Sequence, residues 1–539
     1  MAGRKPGCNT HRRRAMTDRY RSFLMPILLP PFVILLARIL FQGFLFPIEL
    51  SGDEAQYWDW SRHLQLSYHT KGPLIAWLIA GMTSMLGDSE IAIRLGSYLA
   101  HAIAGIAVGF LGMQLCGGSR RFVWLTAIGF QCIVAYQIAG SLMTVDMTMV
   151  AGWSVATSAA VAVWQRSRNG KSILAPLVLC GFSIGIAFLA KYTALLGLLG
   201  ILIGLWPQRR RLLQSPGAGA GLLFGSLLLL AGLAPVVLWN AERGWPTIQH
   251  LLGHLEIPNG ADDPRTWTEF HIRWPLTYLL QVFIVPGPLL AITMVLGICK
   301  FRKQPDQTDL PGFRIALWSA IPVLFFYLLI SFKGETEGNW AVGALASLVP
   351  FAASWIDANL SRSTGRWISR LILLRATLTL MLILTLPWSG ILLQGGLDRF
   401  DISVSIPLHR VIGHRQFAEE VRRRSIESLG PTGASAPIVC NYYDLTAILA
   451  YSLPEQPIVY CASVALGSRP SAYDDFAETR FPHPDLFGKD LILIGANQQL
   501  WNDSLQFTAI KSLGSAIQRG RSRSIFHARL RSPATSKER

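Results

Sequence analysis

The residues able to do chemistry gather at a few places along this 539-residue chain. Residues 51–73, SGDEAQYWDWSRHLQLSYHTKGP, hold an adjacent acid pair, Asp53 and Glu54, then Tyr57, then Lys71 beside Gly72 and Pro73. A carboxylate can take a proton from a hydroxyl, and an ammonium can balance charge that builds on a departing anion. Each has a plainer use as well: Asp53 as a helix N-cap, Glu54 as a solvated acid, Lys71 as a side chain reaching for lipid headgroups. Further along, Asp146, Lys191, His250 with His254, and Glu335 with Glu337 lie at the margins of apolar runs. Ionisable groups pressed against such runs are costly without a role. Asp146 can pair with a cation or cap a helix, and Lys191 can contact an anion or snorkel. His250 and His254 are four apart, which permits metal ligation on one helix face, although hydrogen bonding serves such a pair equally well. A divalent metal is therefore left open and no cofactor is assigned. There is no Walker P-loop, dinucleotide fingerprint or H-E-x-x-H.

The elements that position these residues are membrane spans. The chain is 51% hydrophobic and only 15% charged, against about 25% charged in soluble domains. Runs at 23–48, 122–139, 219–239, 275–299 and 371–394 reach or approach the roughly 20 residues that cross a bilayer. With 91–116, 147–165, 173–190, 193–206, 314–331 and 340–357 added, about eleven spans are expected. Seven Lys and Arg precede the first span, which places the N-terminus inside. Basic clusters then recur at Arg120–Arg121, Arg166 to Lys171, Arg209–Arg211, Lys300 to Lys303 and Arg362 to Arg370, at every second connection. This alternation places residues 397–539 outside, and with them the acids, histidines and tryptophans of the other connections, Asp262 and Asp263 included. The net charge of +17 is thus a topology signal rather than a nucleic-acid footprint. The basic N-terminus is not a cleaved signal, because the run 23–48 is long enough to remain a span.

The expected organisation is a basic cytoplasmic segment 1–22, a membrane domain 23–396, an external domain 397–517, and a basic disordered tail 518–539. Residues 53–64 and 73–87 are too short to span and read as interfacial helices, the first offering Trp58, Trp60 and Leu64 to lipid. In the external part, 413–427 has a helical pattern, while 437–443, 456–462 and 491–496 look like strands of a small α/β domain. Seven cysteines show no C-x-x-C spacing, and Cys440 with Cys461 can be a disulfide or two free thiols.

In order and spacing, Asp53-Glu54, Tyr57-Trp58 and Lys71-Gly72-Pro73 resemble membrane glycosyltransferases of the GT-C type. The superfamily includes the protein O-mannosyltransferases, the lipid A aminoarabinose transferase and the bacterial Rgt-like sugar transferases. MTVDMTM around Asp146, AFLAKYTALL around Lys191, NAERGWPTIQHLLGH, ETEGNW, NYYDLTAILAYSLPEQPIVY and RPSAYDDF agree further, so that the resemblance covers most of residues 25–500. It implies a polytopic helical membrane protein, GT-C like, with a small extracytoplasmic α/β domain. It also implies a reaction, transfer of a sugar from a polyprenyl-phosphate carrier such as undecaprenyl phosphate to an acceptor hydroxyl. Partners would be that donor, a lipid, glycan or protein acceptor of the cell envelope, and the bilayer itself.

On that reading Asp53 is the base, with Glu54 and Asp146 beside the sugars. Lys71 holds the leaving phosphate, with Lys191 as a second contact, and Tyr57, His250, Glu335 and Glu337 line the substrate cavity. Where the aminoarabinose transferase has Glu before the loop lysine, this chain has Thr70, which weakens the case for a metal. Two other readings compete. A secondary transporter should show repeats with interrupted helices at mid-membrane, and none is visible. A non-catalytic scaffold would not need Asp53 and Lys71 intact.

Overall fold

The structure, a computed structural model, describes residues 7–254, 272–303, 310–386, 388–400, 406–504, 507–518 and 520–531. They form two compact units: Met1–Leu40 with Arg94–Leu384, and Phe41–Ile93 with Thr385–Arg539.

The first unit is helical. Seven helices in the described chain are long and apolar enough to cross a membrane: Ser22–Leu45, Glu90–Leu115, Val145–Arg168, Ala218–Glu242, Pro311–Ile330, Gly338–Asn359 and Ser363–Leu384. An eighth span arises if the pair Arg273–Ile284 and Pro288–Arg302, bent by 94°, counts as one. Their surroundings differ, as expected of spans at the centre and at the lipid-facing edge of a bundle. Val145–Arg168 is 83% buried over its apolar window, whereas Ala218–Glu242 is 22% buried and turns Leu222, Leu223, Phe224, Leu227 and Leu230 outward. Leu174–Ala190 packs closely on Ala218–Glu242, because Gly181 faces Gly225 and Gly185 faces Gly232 with no side chain between the backbones.

Several expected spans are broken or short, so about eleven full-length crossings are not what the helices display. The 275–299 run bends at Gly287, whose φ of 95° suits glycine, followed by Pro288 at a helix start. The 122–139 run divides into Arg120–Gln131 and Val134–Ala139, and the Gln137 side-chain amide donates to the carbonyl that the break exposes at Gln131, 2.6 Å away. Ala194–Leu205 has 12 residues, about 18 Å of helix, well short of a bilayer core.

In the second unit the expected interfacial helices are Gly52–Arg62 and Leu74–Leu86. The expected strands are β1 (Ile438–Cys440), β2 (Val459–Cys461) and β3 (Asp490–Ile494), with helix His414–Leu429 preceding them. Two further strands, β4 (Phe507–Gln518) and β5 (Arg521–Leu530), complete a sheet of order β2-β1-β3-β5-β4. β1 is parallel to β2 and β3, and β5 is antiparallel to β3 and β4. The strand β5 corrects the expectation of disorder from 518. Its Arg/Ser-rich composition hides Ile525, Phe526, Ala528 and Leu530, all buried, and Arg529 pairs with Asp490 of β3 at 2.9 Å. Residues 532–539 of the expected tail lie outside the described residues.

A boundary at 396 also does not match the units. Residues 41–93 belong with the sheet domain, and Glu49 shows one reason: its carboxylate accepts the backbone N–H groups of His414 and Arg415 at the start of helix His414–Leu429. Cys440 and Cys461 face each other across β1 and β2 as free thiols, and burial pushes both pKa values up.

Candidate active site

The acid pair is resolved by its own helix. Ser51 is the N-cap of Gly52–Arg62; its Oγ accepts the Glu54 N–H at 3.3 Å, and the Glu54 carboxylate accepts the Ser51 N–H at 2.9 Å. This capping box engages Glu54, which is 1% exposed, in holding the helix start. Asp53, one residue earlier in the same turn, is exposed. The helix dipole favours its charge there. The two adjacent carboxylates therefore have different environments, Glu54 buried and Asp53 exposed.

The helix that carries Asp53 is held on its other faces. Tyr57 is buried edge-on to Trp60 at 5.3 Å, and Trp60 stacks on Tyr68 at 4.5 Å. Trp58 packs edge-on to Tyr451 at 5.0 Å, and its indole N–H donates to Asp88 at 2.7 Å. Trp58 and Trp60 are each 1% exposed, which corrects the expectation that they face lipid; Leu64 does remain exposed. Trp58 is covered by the sheet domain's helix Tyr443–Ser452, a partner the local sequence could not reveal, and Trp60 by Tyr68.

Lys71 sits on a turn fixed by its own backbone. Its carbonyl accepts the Tyr68 N–H at 3.1 Å and the Ser67 hydroxyl at 3.4 Å, and the Tyr68 hydroxyl donates onward to the Trp60 carbonyl at 3.0 Å. Two histidines tie the same loop to the sheet domain, His63 with Glu478 at 3.2 Å and His69 with Asp475 at 3.8 Å. The Lys71 side chain is half-buried.

Asp146, Lys191, Glu335 and Glu337 belong to the other unit. Asp146 lies in the first turn of Val145–Arg168, whose N-cap Thr144 accepts the Met147 N–H at 3.3 Å. Lys191 ends Leu174–Ala190, and its ammonium meets Asp146 at 2.7 Å, each side chain about 15% exposed. Of the roles open to Asp146, pairing with a cation is seen, and its partner is the very lysine expected at phosphate. Glu335 and Glu337 are exposed beside the turn Gly338–Ala341, where Trp340 packs on Tyr327 at 5.3 Å. The backbone of His250 is in helix Pro246–His254. The side chains of His250 and His254, like residues Asp262 and Asp263, lie outside the described residues. Among the described residues, no three His, Cys, Asp or Glu side chains converge in a way that would hold a metal ion.

Two features escaped the sequence reading. Arg38, within the first apolar run, is fully buried, donating to Ser141 Oγ at 3.2 Å and to the Gln137 carbonyl and side chain at 3.2 and 2.8 Å. A lone arginine inside a span was the available signal. The other is the cluster Tyr442, Tyr443 and Arg469, which only the fold assembles.

Comparison with known proteins completes the picture. The family model described as dolichyl-phosphate-mannose-protein mannosyltransferase matches residues 70–239. The lipid A galacturonosyltransferase RgtD of Rhizobium johnstonii is 26% identical over 456 residues, covering 82% of this chain and 85% of that protein. The undecaprenyl phosphate-alpha-4-amino-4-deoxy-L-arabinose arabinosyl transferase of Serratia proteamaculans is 26% identical over 316 residues, 57% of this chain and 54% of that protein. The crystal structure of ArnT from Cupriavidus metallidurans bound to undecaprenyl phosphate aligns at a TM-score of 0.57 and 15% identity, over 95% of this chain and 98% of that one. That likeness shows the fold: a multi-pass helical membrane protein of GT-C type with a small α/β domain.

Proposed function

Because the chain has the GT-C fold and is similar along most of its length to bacterial glycosyltransferases of that superfamily, we propose that it transfers a glycosyl group from a polyprenyl-phosphate-linked sugar to an acceptor hydroxyl. The observation that carries the reading is the division of labour in the acid pair: Glu54 is engaged by the capping box and Asp53 is left exposed on a rigidly held helix. Asp53 takes the proton of the acceptor hydroxyl as its oxygen bonds to the anomeric carbon. The bond from that carbon to the phosphate oxygen breaks, and polyprenyl phosphate leaves with the electron pair. Lys71 balances the charge that gathers on the phosphate, where a preorganised cation lowers the barrier most. Tyr57 supports the Asp53 helix from within. Asp146 and Lys191, already paired, shape the other unit rather than bind phosphate, and Glu335, Glu337 and His250 remain candidates for lining the substrate path.

The names of the relatives direct the choice of substrates: an undecaprenyl phosphate carrier and a lipid A acceptor are the first pair to supply. The alternating basic connections support a cytoplasmic N-terminus and an external sheet domain, so the reaction runs at the outer face. A lipid-borne donor suits that face, where nucleotide sugars are absent.

The experiment replaces Lys71 by Ala and by Arg and measures sugar transfer and its inhibition by free polyprenyl phosphate, at matched protein levels in detergent. Lys71→Ala should lose both transfer and sensitivity to the product lipid, while Lys71→Arg keeps part of each, because charge persists but the compact ammonium does not. Unchanged inhibition in Lys71→Ala would remove this residue from the phosphate site. Indifference of the wild type to the lipid would remove the transferase reading in favour of transport.

A further inference from the structure

A cavity of about 260 Å³ opens within the helical unit, where helices Glu90–Leu115 and Val145–Arg168 end and Leu310–Ile330 begins. Gly312 lets the third helix come close, since a Cβ there would sit 2.6 Å from the Leu115 side chain. Arg168 at the cavity and Asp146 lie on one helix, about 33 Å apart along its axis. The cavity is therefore remote from the end of the unit that carries Asp146 and Lys191, and no step of the proposed reaction uses it. It lies at the level of the basic connections, where Arg211 donates to the Arg168 carbonyl at 3.2 Å. On the proposed topology that level is the cytoplasmic headgroup region.

Three properties of the lining narrow its occupant. First, two helices end here, and the carbonyl end of a helix carries partial negative charge, which favours a cation with N–H groups. Second, Gln114 asks for a donor. Its backbone carbonyl is taken by the Gln165 carboxamide, but its side-chain Oε1 is enclosed and accepts no hydrogen bond among the described residues. An enclosed acceptor without a donor is destabilising, and the soft terminal torsion of glutamine lets the carboxamide turn towards a donor in the cavity. Third, the opposite sign stands at the mouth. Arg168 is exposed there, a guanidinium suited to phosphate, and half-buried Trp164 sits beside it at the depth indoles favour. The volume equals that of about nine waters, enough for a small headgroup and too little for a sugar-bearing lipid. A cationic donor inside and a phosphate at the mouth describe phosphoethanolamine. Choline has the charge without an N–H, and glycerol has donors without the charge.

We infer that this cavity binds a phosphoethanolamine headgroup, supplied by phosphatidylethanolamine of the surrounding leaflet, with the ammonium on Gln114 and the helix carbonyls and the phosphate on Arg168. Such a site is independent of the transferase reading.

The test titrates the delipidated full chain in detergent with phosphatidylethanolamine, phosphatidylcholine and phosphatidylglycerol of identical acyl chains, and native mass spectrometry counts the lipid retained. Wild type should hold one phosphatidylethanolamine roughly 10- to 150-fold more tightly than phosphatidylcholine, the range of a hydrogen bond to a charged group. Gln114→Leu should bring that ratio close to one without lowering the melting temperature, because it removes an acceptor that has no donor. Gln114→Glu should widen the ratio. Arg168→Gln should weaken both lipids alike and leave the ratio standing, while Arg362→Gln, at an exposed arginine of another connection, should change neither. Equal retention of the ethanolamine and choline lipids by wild type, or an undiminished preference in Gln114→Leu, would overturn the site. Phosphatidylglycerol held as tightly as phosphatidylethanolamine would overturn the ammonium contact. Displacement of the lipid by an equal concentration of free phosphoethanolamine would give the cavity to a soluble ester and overturn the lipid as its source.

Discussion

Replacing Lys191 by Met and Asp146 by Asn, singly and together, separates a structural ion pair from a phosphate contact. The ammonium and carboxylate are 2.7 Å apart and each side chain is about 15% exposed. Breaking a fully buried pair by removing one partner costs about 3–5 kcal/mol, because the other charge is left uncompensated. The residual exposure lets water relieve part of that, so each single variant should lose about 2–4 kcal/mol. In the double variant neither charge is stranded, and the loss should fall short of the sum by about 1.5–3 kcal/mol, the range of a charge-assisted hydrogen bond. Equilibrium unfolding in mixed micelles, with SDS titrated into a mild detergent, reads all four proteins. The kinetic signature follows: folded Lys191→Met should bind polyprenyl phosphate as wild type does. Additive losses, within about 0.5 kcal/mol, would refute the pairing. A stable Lys191→Met with weakened product-lipid inhibition would return the lysine to the phosphate.

Ser51→Ala removes the acceptor for the Glu54 N–H and should cost about 1 kcal/mol, and Glu54→Ala should destabilise more than Glu54→Gln, which keeps an oxygen for the Ser51 N–H; thermal melting checks both, and equal effects of Gln and Ala would contradict the capping box. Hydrogen bonds from Arg423 and Arg424 hold Glu420 down to about 2. A carboxylate depressed in the folded state stabilises it above the ordinary range near 4.3, and that contribution is lost as pH falls through about 2. Glu420→Gln should therefore lower the urea midpoint of the full chain at pH 7, and the gap from wild type should close as pH falls towards 2. A gap that stays constant would contradict the assignment.

What could be read from the sequence depended on the range over which each signal acts. Helix Gly52–Arg62 and the strands 437–443, 456–462 and 491–496 were legible because capping residues and short β-branched runs are local. The acid pair at the start of this helix was legible too, but not that Glu54 is buried and Asp53 exposed. The N-cap reading was attached to Asp53, whereas Ser51 is the cap and Glu54 closes the box. Burial of Trp58 and Trp60 was hidden because their partners, Asp88 and Tyr451 around Trp58 and Tyr68 against Trp60, come from elsewhere in the chain. Strand β5 was missed because arginine and serine on its exposed positions outweighed the four buried ones in a composition count. The breaks at Gly287 and after Gln131 were hidden, since hydropathy averages across a bend and cannot see it. The pair of Asp146 with Lys191, 45 residues apart, required the fold.

The measurement that tests the account most directly is transfer from undecaprenyl-phosphate-linked sugar by wild type and Asp53→Asn, purified together and matched for folded protein. Asparagine keeps size and hydrogen bonding but cannot take the acceptor's proton, so the rate should fall about a hundred- to ten-thousand-fold while binding of the carrier lipid persists. A wild type inert towards every lipid-phosphate donor, or an Asp53→Asn protein that turns over within a few-fold of wild type, would contradict it.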